Sequence, residues 1–339
     1  MKLITFTVPC YNSEDYMHIC IDSLLKGGEK VEIIIIDDGS KDRTGAIADS
    51  YAAKFPSIVK VVHQENGGHG EGINQGLKRA TGRYFKVVDS DDWADEKSLH
   101  QVIHTLEQLE TKGGVDLLVC NYAYYQKDEG ITRVIRYQNA LPENRIFTWN
   151  ETRRFRVDQY LTLHSCMFRT QILRDSGLVL PKHTFYEDNL FVYTPLPLVK
   201  TLYYLNVNFY NYLIGREGQS MAVAAQMQRC DQQMTVSVLI FKAHDLNQIK
   251  QQNKALYRYM YHECSFMITA AIAFTRLNNA QEHDTRVVKM WQELYAYNPQ
   301  MAKQMHRNIL NRMASLNGAF GRWLIRVFYK LAHKIVKFN

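Results

Sequence analysis

Residues 31–40 read VEIIIIDDGS, a largely apolar, β-branched run that ends in two aspartates, a glycine and a serine. Two other segments have the same design: 3–8 is followed by the turn Pro-Cys-Tyr-Asn, and 84–88 is followed by Asp-Ser-Asp-Asp. Short apolar runs bounded by turn residues predict buried strands. Strands that are apolar on both faces are typical of parallel sheets covered by helices.

The flanking sequence continues this pattern through the first ~120 residues, since an α/β domain alternates strands and helices. We predict strands over 3–8, 31–36, 58–62, 84–88 and 115–120, with helices over 14–25, 44–55, 71–80 and 96–109. The fold class is therefore α/β with a mostly parallel central sheet. Residues 121–220 mix short strands with turn signals, and helices are predicted over 226–244, 253–278 and 285–296. We predict three parts: an α/β domain over 1–220, a helical accessory region over 221–298 and a basic amphipathic tail over 299–339.

The composition is that of a globular protein, since 46% of the 339 residues are hydrophobic and 22% are charged. The six cysteines are scattered without a Cys-x-x-Cys pair, which favours reduced thiols over a disulfide framework or a zinc site. The first residues lack the features of a signal peptide, and no apolar run approaches the ~18 residues of a membrane span. We expect a cytoplasmic protein.

The formal net charge of +7 comes from one end of the chain. Between residues 299 and 339 there are eight Lys or Arg and no Asp or Glu, so the rest of the chain is close to neutral. A nucleic-acid-binding protein more often spreads its basic residues over a face of the folded body. We therefore expect no nucleic-acid partner.

Polar turns follow four of the predicted strands, at 9–12, 37–40, 66–68 and 89–92. In open parallel sheets, ligands bind beyond the carboxyl ends of the strands, so these turns are the first candidates for a binding site. A single aspartate at such a position often only caps the next helix, and that alternative stays open for Asp37 and Asp38.

The acidic turn after the fourth strand holds Asp89, Asp91 and Asp92. Three carboxylates so close together repel one another unless a cation or several donors compensate them, and such oxygen ligands suit Mg²⁺ or Mn²⁺. The alternative is a solvated turn in which Asp92 or Asp95 caps the following helix. The sequence has no P-loop motif, and no Gly-x-Gly-x-x-Gly follows the first strand.

The segments that contain the four turns, at 7–12, 35–40, 66–76 and 84–93, together resemble glycosyltransferase family 2. They occur in the same order and spacing, and the resemblance covers about residues 1–220. The resemblance implies a GT-A nucleotide-sugar-binding fold and an inverting transfer from a UDP-sugar. It implies that Asp38, with Asp37, accepts the N3 hydrogen of uracil, and that Tyr11 and Pro9 form a wall against the base.

For the acidic turn, the resemblance implies that Asp89-Ser90-Asp91 is the metal-binding Asp-x-Asp motif. Asp91 would be the direct ligand of a Mn²⁺ or Mg²⁺ ion that bridges the diphosphate. Asp89 would face the ribose or a metal-bound water, with Ser90 also at the nucleotide-sugar site.

The acceptor half of such a site matches 185–191, Phe-Tyr-Glu-Asp-Asn-Leu-Phe. The resemblance implies that Asp188 is the general base for the acceptor hydroxyl and that Glu187 assists it. The alternative is a pair of acids favoured by the dipole at a helix start. Arg216 and Ser220 resemble a loop that closes over the diphosphate, with a surface turn as the alternative. His164 could line the acceptor cleft, although a lone histidine is more often structural.

The tail alternates apolar and basic residues at helical spacing from Phe320 onwards. This pattern predicts that 319–339 lies on the inner surface of the cell membrane as a peripheral attachment. The alternative is a helix that docks on the protein's own body or on a partner. A membrane-bound transferase would meet a glycan or lipid-linked acceptor. The resemblance to glycosyltransferase family 2 implies a setting in bacterial cell-surface polysaccharide synthesis.

Two other functional classes remain possible from the sequence. A nucleotidyltransferase that makes sugar nucleotides would also use acidic strand ends and a metal, but a glycine-rich basic loop is expected after its first strand. A non-catalytic membrane scaffold would explain the tail but not the acidic pair at 187–188.

Overall fold

The computed structural model describes residues 2–215, 229–277, 281–316, 318 and 320–327. The chain divides into two compact units. The first, the sheet unit, comprises Met1–Phe155 and Leu161–Arg216, and the second, the helical unit, comprises Arg156–Tyr160 and Glu217–Asn339. The predicted boundary at 220 falls outside the described residues, so the three-part division stays a prediction.

The described part of the sheet unit contains one ten-stranded sheet. Its strands are β1 (Ile4–Cys10), β2 (Val31–Asp37), β3 (Val59–His63), β4 (Tyr84–Val87), β5 (Trp93–Ala94), β6 (Leu117–Gln126), β7 (Gly130–Ile135), β8 (Ile146–Phe147), β9 (Cys166–Arg169) and β10 (Leu202–Ile214). The spatial order is β3-β2-β1-β4-β9-β6-β10-β5, with β7 on β6 and β8 on β10.

The sheet is mostly parallel, as predicted. β1 pairs in parallel with β2 and β4, β2 with β3, and β6 with β10. β9 runs antiparallel between β4 and β6. In this register Cys10 lies beside Asp37, and Asp37 beside His63, so the carboxyl ends of three neighbouring strands meet at one edge.

Six helices belong to the sheet unit: α1 (Met17–Leu25), α2 (Thr44–Lys54), α3 (His69–Arg79), α4 (Glu96–Glu110), α5 (Thr170–Asp175) and α6 (Asp188–Tyr193). Side chains of a strand alternate between its two faces, and β1 shows this directly. Ile4, Phe6 and Val8 share a core with buried residues of α1 and α4. Thr7 and Pro9 face α3, where glycines allow close approach.

The predicted strands and helices of the first 120 residues all form, with ends within two residues of the predicted ones except at two places. β6 continues to Gln126. α1 begins at Met17 and not at residue 14, because Ser13 and Glu14 are bound to the loop after β2. The Ser13 amide donates to Thr44 Oγ1 at 2.7 Å, and the Glu14 amide donates to an Asp42 carboxylate oxygen at 3.1 Å.

The helical unit contains α7 (Cys230–Ala243), α8 (Leu246–Gln252), α9 (Lys254–Leu277), α10 (Gln281–Tyr297), α11 (Pro299–Arg307) and α12 (Ile309–Ala314). Residues 320–327 are also helical. From 229 onwards the described residues form no strand, in agreement with the sequence prediction. Within the described residues, none of the helices has the length and apolar character that crossing a membrane requires. All six cysteines are free and buried.

Candidate functional site

The edge at the ends of β1 and β2 is organised by Asp38. This residue is 3% exposed, and its carboxylate accepts hydrogen bonds from the amides of Gly67 at 2.7 Å and Gly68 at 2.8 Å and from Gln64 Nε2 at 2.6 Å. Asp38 thus fixes the loop that leads into α3. Carboxylate oxygens have about two acceptor positions each, so Oδ2, which among the described residues receives only the Gly68 amide, retains one.

Asp37 ends β2 beside this loop. Its carboxylate accepts from the Ser40 amide at 3.1 Å and contacts His63 Nδ1 at 2.9 Å. Burial opposes ionisation, but the hydrogen bonds from Ser40 and His63 keep the pKa of Asp37 below its usual range. Tyr11, which follows β1, is 49% exposed at the same edge.

The acidic turn after β4 is anchored from below by Asp92. Asp92 is fully buried, and it accepts hydrogen bonds from Tyr210 Oη at 2.6 Å and from the Leu213 amide at 2.8 Å. Burial, followed by the nearby charges of Asp89 and Asp91, raises the pKa of Asp92 well above its usual range. Asp92 therefore ties the turn to β10 and does not cap a helix. Asp95 is the cap of α4, with its carboxylate 2.8 Å from the Ser98 amide.

Asp89, in the same turn, faces two imidazoles. Its Oδ1 lies 2.9 Å from His69 Nε2, and its Oδ2 lies 3.8 Å from His164 Nε2. Burial opposes ionisation, but the imidazoles of His164 and His69 hold the pKa of Asp89 well below its usual range. The carboxylate is thus kept in its charged form.

Asp89, Asp92 and His164 form a group whose potential ligand atoms all lie within 4.8 Å of one another. Two carboxylates and an imidazole are a donor set that Mn²⁺ and Mg²⁺ sites use, and a single divalent ion can bridge such distances. In addition, His164 Nδ1 is buried and has no hydrogen-bond partner among the described residues. These residues fit a divalent cation. Asp91 is outside this group, and its predicted role as direct ligand stays a prediction.

His164 is held in place by a buried lysine and by aromatic rings. Lys86 Nζ donates to the carbonyl oxygens of Leu163 at 2.5 Å and His164 at 2.8 Å. Burial lowers the pKa of Lys86 to about 8. The His164 ring lies 4.7 Å from the ring of Tyr212 and 4.9 Å from that of Tyr210. The lysine and the rings fix the orientation of the imidazole.

The acidic pair at the start of α6 lies close to the same turn. Glu187 is 3% exposed, and its Oε1 is 2.7 Å from His69 Nδ1. Asp188 Oδ1 accepts a hydrogen bond from Asn189 Nδ2 at 3.0 Å. Burial and the neighbouring charge of Glu187 raise the pKa of Asp188 to about 7. A carboxyl group with this pKa can accept a proton near neutral pH.

The backbone before α6 is unusual. Tyr186 has a φ of +70°, a left-handed conformation that a bulky residue adopts only when its surroundings impose it. The segment before it is bound to α3, because the Asn74 side chain donates to the Leu180 carbonyl and accepts from the Leu180 amide, both at 2.9 Å. The surrounding structure thus dictates where Glu187 and Asp188 lie.

The structure therefore brings Asp89 and Glu187 to a single imidazole at one edge of the sheet, with Asp188 directly after Glu187. The structure adds two residues to those predicted from the sequence: His69, for which the sequence suggests no role, and His164, which the sequence suggests only as a residue lining the acceptor cleft. The signal for His69 was its place in Gly-Gly-His-Gly, directly after a glycine loop at a helix start. Arg216 and Ser220 lie outside the described residues. Ser90 Oγ is 2.9 Å from Ser13 Oγ, beneath the turn.

Comparison with protein families gives a match to the model described as "Glycosyl transferase family 2" over residues 5–177. Among curated proteins, the chain is 32% identical over 209 residues to the putative glycosyltransferase EpsH of Bacillus subtilis, covering 57% of this chain and 59% of EpsH. It is 37% identical over 131 residues to the glycosyltransferase GlyG of Streptococcus pneumoniae, covering 38% of this chain and 42% of GlyG. The matches thus span about half the length of these relatives.

Among solved structures, the chain is similar to S. aureus TarS 1-349 in complex with UDP-GlcNAc. The TM-score is 0.70 at 22% identity, over 97% of this chain and 92% of TarS 1-349. The mannosyltransferase PcManGT from Pyrobaculum calidifontis, in complex with GDP-Man and Mn²⁺, gives a TM-score of 0.51 at 13% identity, over 96% of this chain and 86% of that one. Both similarities concern the fold: an α/β domain with a mostly parallel sheet.

Proposed function

The chain belongs to glycosyltransferase family 2, and we propose that it transfers a sugar from a UDP-sugar to a hydroxyl group of a glycan or lipid-linked acceptor, with inversion. The observation that carries this proposal is the meeting of Asp89 with the pair Glu187 and Asp188 at the carboxyl edge of the sheet. A donor site and a base for the acceptor must lie side by side in an enzyme that joins the two in one step. A nucleotidyltransferase or a scaffold gives no reason for the second acidic pair.

The nucleotide is proposed to lie over the ends of β1 and β2. Tyr11, two residues after Pro9, offers an exposed ring there, and Asp37 offers a charged carboxylate. Asp38 retains one acceptor position on Oδ2, which suits the N3 hydrogen of uracil. UDP-GlcNAc and UDP are bound by TarS, whose fold this chain shares, and this supports a uridine nucleotide as the donor.

The diphosphate is proposed to lie near the acidic turn, where Asp89, Asp92 and His164 would hold a divalent cation. A cation bound there would supply positive charge against the negative charge that develops on the departing UDP. PcManGT carries GDP-Man together with Mn²⁺ and has a related fold, which supports a metal of this kind.

Asp188 is proposed as the general base. The acceptor hydroxyl oxygen attacks the anomeric carbon on the face opposite UDP, the bond from that carbon to the UDP oxygen breaks, and Asp188 takes the hydroxyl proton. One direct displacement inverts the anomeric centre. The pKa of about 7, which burial and Glu187 impose, gives Asp188 the basicity that this transfer needs near neutral pH.

The test of the proposed function is UDP release from a panel of UDP-hexoses and UDP-N-acetylhexosamines, with Mn²⁺, Mg²⁺ or EDTA. We expect release of UDP from one donor, dependent on the cation, because the acidic turn needs a counter-charge before it can accept a diphosphate. GDP-mannose in the same assay is the matched control for the uracil base of the donor, and it should remain intact. If the protein neither releases UDP nor binds it in calorimetry, the proposed function is wrong.

The setting is proposed to be the cytoplasmic face of a bacterial cell membrane, with 319–339 as the peripheral attachment. Within the described part of this tail, Phe320 and Trp323 are 64% and 56% exposed, and their rings stack at 5.8 Å. Exposed aromatic rings of this kind suit a lipid interface. Ile325 is buried, however, and Arg322 is paired with Asp284, so this part of the tail also packs on its own helical unit.

Membrane attachment and packing on the helical unit are compatible if the segment 319–339 docks through one face and presents Phe320 and Trp323 on the other. We expect the double variant Phe320→Ser with Trp323→Ser to co-sediment with phosphatidylglycerol vesicles at least ~10-fold less than wild type, because each ring removes apolar surface from water. Ile309→Ser with Leu310→Ser, which changes two exposed apolar residues outside the attachment segment 319–339, is the control. Equal vesicle binding of wild type and the tail variant would contradict membrane attachment through these rings.

A further inference from the structure

The imidazole of His69 joins two acidic segments that are far apart in the sequence. Its Nε2 lies 2.9 Å from Asp89 Oδ1 in the turn after β4, and its Nδ1 lies 2.7 Å from Glu187 Oε1 at the start of α6. A ring nitrogen that meets a carboxylate must donate, so both nitrogens carry a hydrogen here. The ring is a doubly charge-assisted bridge between the two carboxylates.

The backbone around His69 is fixed so that the ring can reach both sides. Gly68 has a φ of +83°, and a side chain on it would approach the His183 backbone to 2.9 Å. A side chain on Gly70 would lie 2.8 Å from the Pro181 carbonyl oxygen. The loop before α3 and the segment before α6 are therefore pressed together on either side of the imidazole.

Each bridged carboxylate stands next to a group that the proposed reaction uses. Glu187 precedes Asp188 in the first turn of α6, so the ring holds the segment that carries the base. On the other side, Asp89 gives Oδ1 to the ring, which leaves Oδ2, 3.8 Å from His164 Nε2, to face the cation group. The contact with the ring thus determines which Asp89 oxygen is available to a cation.

We infer that His69 is a positioning residue that holds the donor side and the acceptor base in register, an inference that rests on the proposed function. The imidazole does not touch the reacting atoms in this role. Without the imidazole, Asp89 and Glu187 are free to turn away from each other. Asp188 follows Glu187 directly, so the base then moves with it. Misplacement of a reacting group by about 1 Å costs on the order of 10²-fold in rate.

The experiment compares wild type, His69→Ala, His69→Gln and the control His183→Asn, with the donor that wild type turns over. We expect His69→Ala to lose on the order of 10²-fold in kcat, with the Kd for UDP changed less than about threefold, because positioning acts on the reaction and not on the nucleotide. The imidazole site is 37% exposed, so free imidazole can enter it. We therefore expect added imidazole to restore a substantial part of kcat in His69→Ala and in no other variant.

His183 is the matched control because it is an exposed histidine of the adjacent segment with a φ of +48°, a conformation that asparagine tolerates. His69→Gln can satisfy one carboxylate, so its kcat should fall between those of wild type and His69→Ala. Unchanged kcat in His69→Ala overturns the inference, and so does a loss that imidazole leaves unrestored while His69→Gln is equally inactive. If wild type itself turns over no donor, the proposed function fails, which is a separate result.

Discussion

Replacement of Asp188 by Asn is expected to lower kcat by about 10³-fold and to leave UDP binding nearly unchanged. The amide has the size of the carboxyl group but cannot take a proton from the acceptor hydroxyl. Asp188, at the start of α6, is proposed to lie on the acceptor side, whereas the nucleotide is proposed to lie over β1 and β2. The loss should therefore fall on the reaction and not on donor affinity.

The measurement is the rate of UDP release with an acceptor present, together with the Kd for UDP from calorimetry. Asp175→Asn is the matched control, because it removes an exposed carboxylate from the neighbouring helix α5. A turnover of Asp188→Asn within about fivefold of wild type is far smaller than removal of a general base produces and would assign the proton to another group.

The pH dependence of wild type gives a second readout of the same prediction. Burial and the charge of Glu187 raise the pKa of Asp188 to about 7, while the nearby His69 acts in the opposite direction and Asp89 adds to the increase. A base works only when it is deprotonated, so kcat should rise with pH through about 7 and level off above it. This rise should be absent from the residual activity of Asp188→Asn.

The sheet was predictable because its strands carry their signal locally. β1 and β2 are buried at every position, and each ends in polar turn residues, so apolar run and boundary are both visible in the sequence. The same holds for Asp37, Asp38 and Asp89, which follow strands whose parallel order brings their ends together. Local sequence patterns thus predicted the edge of the sheet at which the candidate site lies.

The chemistry within the edge was less predictable, because it depends on contacts between distant segments. The local sequence does not show that His69 reaches Glu187, 118 residues away, or that Asp92 accepts a hydrogen bond from Tyr210. Three carboxylates in one turn look equivalent in the sequence. Their different burial and partners, which only the folded chain provides, distinguish them: Asp92 anchors the turn and Asp89 faces two imidazoles, while both belong to the group with His164.

Asp89→Asn is expected to remove most of the cation-dependent activity, by about 10²-fold or more, since a metal ion contributes several kcal/mol to charge stabilisation in such a step. Asp89 is the residue that belongs both to the Asp-x-Asp motif and to the group with Asp92 and His164. The two imidazoles also hold the pKa of Asp89 well below its usual range, so its carboxylate is already charged before a cation binds.

The experiment titrates Mn²⁺ and follows its electron paramagnetic resonance signal, with UDP release as the second readout. Asp89→Asn should bind Mn²⁺ at least ~10-fold more weakly than wild type, and so should His164→Gln if the imidazole is a ligand. Asp128→Asn, in the exposed turn between β6 and β7, is the control. Mn²⁺ binding that stays unchanged in Asp89→Asn would remove this residue from the cation site.

Asp91→Asn in the same titration decides between the two ligand sets, because the motif includes Asp91 and the convergent group does not. A cation held by Asp89 and His164 draws one ligand from the turn after β4 and one from the loop before β9. Such a cation would join two segments that are already held together. Lys86 donates a hydrogen bond to the His164 carbonyl oxygen, and the Tyr210 ring packs against the His164 ring. Weakening by His164→Gln without weakening by Asp91→Asn would therefore mean that the metal site is built by the fold rather than by a three-residue motif.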